Sequence, residues 1–112
     1  GLELAIRHFE ASIDHDPTHA PSFSGLADCY NILAPWLPPR LGCQKAKAAA
    51  KRALELNPDY RDAHFNLAVI YSRQKAPRIE LARYHYQRAR ELGSEADAQL
   101  EAKLGLDTPV KP

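Results

Sequence analysis

Phe23-Ser24-Gly25-Leu26-Ala27-Asp28-Cys29-Tyr30 is answered 41 residues later by His64-Phe65-Asn66-Leu67-Ala68-Val69-Ile70-Tyr71. The matched positions are Phe23, Leu26, Ala27 and Tyr30 against His64, Leu67, Ala68 and Tyr71, at intervals of three, one and three. Such intervals bring a ring, a leucine, a small residue and a tyrosine onto one face of an α-helix. A second pattern follows each first one: Ala46, Ala50, Ala53 and Pro58, then Ala82, Tyr86, Ala89 and Ser94. The chain also opens on it, as Ala5, Phe9, Ser12 and Pro17. Small residues at helical spacing let a neighbouring helix approach closely, so each unit reads as a helix hairpin.

The punctuation agrees. Asp16-Pro17 and Asn57-Pro58 stop a helix, Thr18 and Asp59 are placed to cap the next, and Pro21 falls in a first turn, where its missing N–H does no harm. Ser94 and Asp97 have the spacing of a capping box. The pattern predicts helices over 2–15, 19–34, 41–56, 60–75, 78–92 and 95–104, with the tail from Gly105 fraying.

Composition supports an all-α reading. Alanine, leucine, glutamate, lysine and arginine dominate while valine and isoleucine are few, and 112 residues with 45% apolar and 26% charged content describe one globular domain. A net charge of +1 gives no field suited to a phosphate backbone, so no nucleic-acid partner is expected. The charge is uneven: residues 1–28 are mostly acidic, whereas Lys45, Lys47, Lys51 and Arg52 make the middle basic. No run approaches the ~20 apolar residues of a membrane span, so no membrane partner is expected. The start at Gly1, without methionine, is what an excised piece of a longer protein would show. Cys29 and Cys43 are not needed as a staple in a chain this long, and Cys29 reads as a small buried hydrophobe.

These spaced residues resemble the tetratricopeptide-repeat family over about residues 2–94. Its first helix carries an aromatic, leucine, a small residue and tyrosine; its second carries alanine, an aromatic, alanine and proline. The resemblance implies a helix-hairpin solenoid, a right-handed superhelix of about six helices in one domain over 1–105. Residues 1–17 are then the second helix of a partial repeat, 18–58 and 59–94 two full repeats, 95–104 a capping helix and 106–112 a flexible tail. Two departures stand out. The turns inside the two hairpins are longer than the family's by seven and two residues, and the longer insertion is Ala34-Pro35-Trp36-Leu37-Pro38-Pro39-Arg40. Ala50 stands where the second helix should carry an aromatic. Trp36 is therefore expected to pack on the hairpin that carries Ala50.

Nothing in the chain spells a catalytic motif, a metal site or a cofactor site, and the expectation is a protein that is not an enzyme. The five glycines form no phosphate loop; Gly25, inside a helix, reads as a close contact. His15 and His19 are separated by Pro17 and so share no helix face. His64 reads as a buried packing residue, His8 and His85 as residues of solvated or inter-helix faces. Cys43 has no accompanying histidine or carboxylate. Tyr71 and Tyr86 are packing positions, which leaves Tyr60 and Tyr84 too few to make a stacking platform. The set Lys45, Lys47, Lys51 and Arg52 reads as a solvated helix face.

A stack of hairpins curves into a groove, and by resemblance its walls are the first helices. The exposed groove candidates are Ser24, Asp28, Asn31 and Ile32, then Phe65, Val69, Ser72 and Arg73. Some family members clamp the carboxylate of a chaperone tail there with lysine, arginine and asparagine. In this chain Ser24 and Asp28 replace the expected lysine and asparagine, and Asn66 with Arg73 does not rebuild the clamp. The expected partner is a protein or peptide with an apolar segment anchored on Phe65, Val69 and Ile32. The alternative is a spacer or self-association segment: helix 2–15 lacks a covering unit, and Leu2, Ile6, Phe9 and Ile13 would favour a homodimer through that open edge.

Overall fold

The structure is a computed structural model and describes residues 1–38, 41–74 and 76–106. It is all-α. Among the described residues six helices follow one another: α1 (Leu2–His15), α2 (Ala20–Leu33), α3 (Leu41–Leu56), α4 (Arg61–Arg73), α5 (Ile79–Glu91) and α6 (Ala98–Lys103), with a 3₁₀ turn at Ala34–Trp36 between α2 and α3. No strand occurs among the described residues, and no helix there is long and apolar enough to cross a membrane. The expected tail 106–112 lies, beyond Leu106, outside the described residues.

Each of α1 to α5 packs on the next, and α2 also touches α4, within extents of 54 × 30 × 23 Å. Alanine makes the close approaches possible. On α3, Gly42, Ala46, Ala49, Ala50 and Ala53 are all buried along one stripe. Ala46, Ala50, Ala82 and Ala68 share one core cluster with the larger Leu67, Ile70, Tyr71 and Tyr86. A smaller cluster gathers Ala20, Ala53 and Ala63, with Phe23 and Tyr60 against it. Gly25 is a contact glycine, since a Cβ there would run into the ring of Phe9 on α1.

Helix ends differ from the sequence reading in detail. Thr18 and Asp59 do not cap α2 and α4. Instead Asp16 Oδ1 accepts from Thr18 N–H at 3.0 Å and Asn57 Oδ1 from Asp59 N–H at 3.1 Å, so the Asx residues close the turns. His19 and Tyr60 occupy the cap positions without a side-chain cap bond. Ser94 is not the cap of α6 either. That role falls to Asp97, whose Oδ1 accepts from Leu100 N–H at 3.0 Å, because the helix starts only at Ala98. Gly93, at φ 109°, takes the left-handed turn that ends α5.

The largest correction concerns Trp36, which is 77% exposed rather than packed near Ala50. Leu37 turns inward in its place and is half-buried. It stands beside Gly42, where a Cβ would lie 3.2 Å from Leu37 Cδ1 and 2.8 Å from the Ala34 backbone. The short turn has one inner side, and the branched leucine fills it. Pro39 and Arg40, part of the same insertion, lie outside the described residues.

Candidate functional site

α2 and α4 lie side by side and run parallel. Asn66 Nδ2 donates to the Ser24 carbonyl at 3.2 Å, and Arg73 donates through a guanidinium nitrogen to the Asn31 carbonyl at 3.3 Å. Both bonds join residues 42 apart, so the same register holds over two turns. This seam explains why the eight groove candidates do not form one exposed surface. Ser24 (3% exposed), Asn31 (8%) and Ser72 (1%) are buried, contrary to the exposure expected of them. Ser72 Oγ donates back to the Val69 carbonyl at 2.8 Å. Phe65 and Val69 are half-buried against the main core cluster, and the Phe65 ring lies 6.5 Å from that of Tyr86. Ile32 and Arg73 are exposed, as is Asp28, whose carboxyl is pushed up by partial burial and by the nearby Asp62.

A cleft of about 770 Å³ opens where the C-terminal ends of α2 and α4 meet the first turn of α3. Two of the eight candidates, Asn31 and Arg73, line it. The rest of the wall was not among the candidates: Ala34 and Pro35 from one turn, Gln74 and Ala76 from the other, Gly42, Cys43, Gln44 and Lys47 from α3, and Ile70. The signal for it in the sequence is the pair of lengthened turns, because both contribute walls.

Its electrostatics follow from which groups are already paired. Among the described residues no aspartate or glutamate lines the cleft. The ion pairs among the described residues join Arg52 to Glu55, Arg61 to Asp62, and Arg88 to Asp59 and Glu91, so they involve neither Lys47 nor Arg73. Lys47 donates to Gln74 Oε1 at 3.0 Å and sits 5.2 Å from the centre of the Tyr71 ring. Lys45 and Arg52 likewise lie over the rings of Tyr30 and Phe23 while remaining exposed, as Lys51 does, and Lys47 is the half-buried member of the basic set. Asn31 Nδ2, buried at the cleft wall, has no hydrogen-bond partner among the described residues.

Of the remaining candidates, His64 and His85 pack against each other. His64 is buried; its Nε2 faces the Pro58 carbonyl at 2.8 Å and its Nδ1 faces His85 Nδ1 at 3.0 Å. His8, His15 and His19 border a shallower hollow at the α1–α2 turn. Among the described residues no group of three or more histidine, cysteine or acidic side chains is placed to hold a metal. Cys29 is buried and Cys43 half-buried, both free thiols. No protein-family model matches the chain, and no curated protein matches it either.

Proposed function

We propose that the chain is a helix-hairpin repeat module of the tetratricopeptide type that binds a peptide segment of a partner protein, seated in the cleft between α2, α3 and α4. The observation that carries this reading is the cleft itself. Its volume falls within the roughly 300–1,000 Å³ typical of ligand sites. Ile70, Ala34 and Pro35 give it apolar walls, and Asn31, Gln44 and Gln74 add amides that can meet a backbone. The constant offset between α2 and α4 supports the repeat reading, since stacked identical units set their first helices in parallel register.

The test is selection of binders from a displayed peptide library, followed by mapping of a selected peptide on the ¹⁵N-labelled chain. Shifts confined to residues 31–35, 42–47 and 70–76 support the cleft. Shifts on Phe65 and Val69 would return the site to the face of the first helices, and a library yielding no binder would remove the peptide reading.

A second reading has its own observation. α1 has no buried residue, and Leu4 is 67% exposed on it. Leu2, Ile6, Phe9 and Ile13 are half-buried rather than bare. A second copy meeting this edge would make the chain a self-association segment, and light scattering across a dilution series decides between monomer and dimer.

A further inference from the structure

We propose, resting on the reading of the cleft as a peptide seat, that the peptide it takes is acidic, a carboxylate side chain being held between Asn31, Lys47 and Arg73. Asn31 lines the cleft with a side chain 8% exposed, and its Nδ2, closed off from solvent, has no acceptor among the described residues. A buried donor without an acceptor costs free energy, so a turn of the Asn31 amide that brings Nδ2 to an incoming carboxylate relieves that cost. Lys47 and Arg73 line the same cleft, and among the described residues no acidic side chain lines it to neutralise them. Among the described residues Lys47 is bonded to a neutral amide and Arg73 to a backbone carbonyl, so neither is neutralised by a carboxylate there.

The helix ends act in the same direction at one point. Gly42, Cys43 and Gln44, in the first turn of the 16-residue α3, line the cleft. The start of a helix carries partial positive charge and N–H groups without intrahelical acceptors. Arg73 meanwhile binds a carbonyl in the last turn of α2, which offsets the partial negative charge that this end would present to an anion. Ile70, Ala34 and Pro35 receive the apolar neighbours of the acidic residue. Charge complementarity thus selects an acidic segment over a neutral or basic one.

The test uses two pools of synthetic hexapeptides, amidated at the C-terminus and identical in their mixed apolar positions, one with Asp or Glu at the centre and the other with Asn or Gln. The acidic pool should bind the full chain about tenfold more tightly and shift the side-chain amide resonances of Asn31. Lys47→Gln and Arg73→Gln should each remove most of that preference while the helical circular dichroism signal stays unchanged. Equal binding of both pools at the cleft would overturn the acidic preference and leave the peptide seat standing. No shift with either pool would remove the peptide seat, and the preference with it. Equal shifts from inorganic phosphate alone would reassign the donors to a free anion, and shifts that grow with protein concentration would assign the cleft to a second copy; both overturn the proposal.

Discussion

The imidazoles of His64 and His85 meet Nδ1 to Nδ1 at 3.0 Å, and the second nitrogen of His64 faces the Pro58 carbonyl at 2.8 Å. A carbonyl only accepts, so His64 Nε2 carries its proton, His64 Nδ1 accepts, and His85 Nδ1–H donates. His85 also stacks on Tyr71 at 5.9 Å. Burial, then His64, then the Lys51 ammonium hold the His85 pKa down from 6.5 to about 4.

That depression sets the pH dependence of stability. Between 6.5 and about 4 the unfolded chain binds a proton that folded His85 refuses, so stability is full above this window and declines as pH falls through it. The expected loss is on the order of 2 kcal/mol, levelling off below the window. Urea midpoints of the chain and of His85→Gln check this: the variant should show a flatter profile, and equal slopes would remove His85 as the cause.

Ala53 is fully buried where α3 meets Ala20 and Ala63. Ala53→Phe should therefore cost about 1–3 kcal/mol by overpacking. Ala48, exposed on the same helix, is the control and should tolerate phenylalanine with little change in melting temperature. Lys47 is no such control, because it is half-buried over Tyr71.

Trp36, at 77% exposure, should emit like a solvated indole and be quenched by iodide as readily as a free tryptophan derivative. Trp36→Ser should change stability by less than about 0.5 kcal/mol. A blue-shifted, protected emission would contradict the exposed placement.

Tyr86 ties α6 to the rest of the chain. Its hydroxyl donates to Glu101 Oε2 at 2.5 Å and accepts from the Asp97 N–H at 3.0 Å. Tyr86→Phe leaves both partners unmet and should cost about 1–3 kcal/mol, read as a lower melting temperature. An unchanged melt would show that α6 is held by Leu100 and Leu104 alone, both buried in the core.

The helices were legible because intervals of three and four are a local property of the chain. Helices expected over 2–15 and 41–56 have those bounds in the structure, and the others end within one to three residues of expectation. Burial of Ala53, His64 and Tyr86 followed from the same intervals. What the intervals do not contain is how neighbouring helices meet. Ser24 and Ser72 read as groove residues because the resemblance makes the first helices the groove wall, yet small residues bury easily where helices pack closely. Trp36 and Leu37 are both apolar neighbours in a loop, and it is Leu37 that lies against Gly42, a tertiary contact that no local interval contains. The cleft draws its walls from two turns and three helices, so no single window of sequence shows it.

Cys43 gives the most direct measurement of whether the cleft is a peptide seat. It lines the cleft and is half-buried, whereas Cys29 is buried, with its thiol pKa pushed up by burial and by Asp28. Iodoacetamide should therefore alkylate Cys43 first, by way of its thiolate. With a library-selected peptide at about ten times its Kd, the rate at Cys43 should fall about tenfold, in proportion to the fraction of cleft left empty. An alkylation rate at Cys43 unchanged by saturating peptide would contradict the account, since the peptide would then be bound somewhere else.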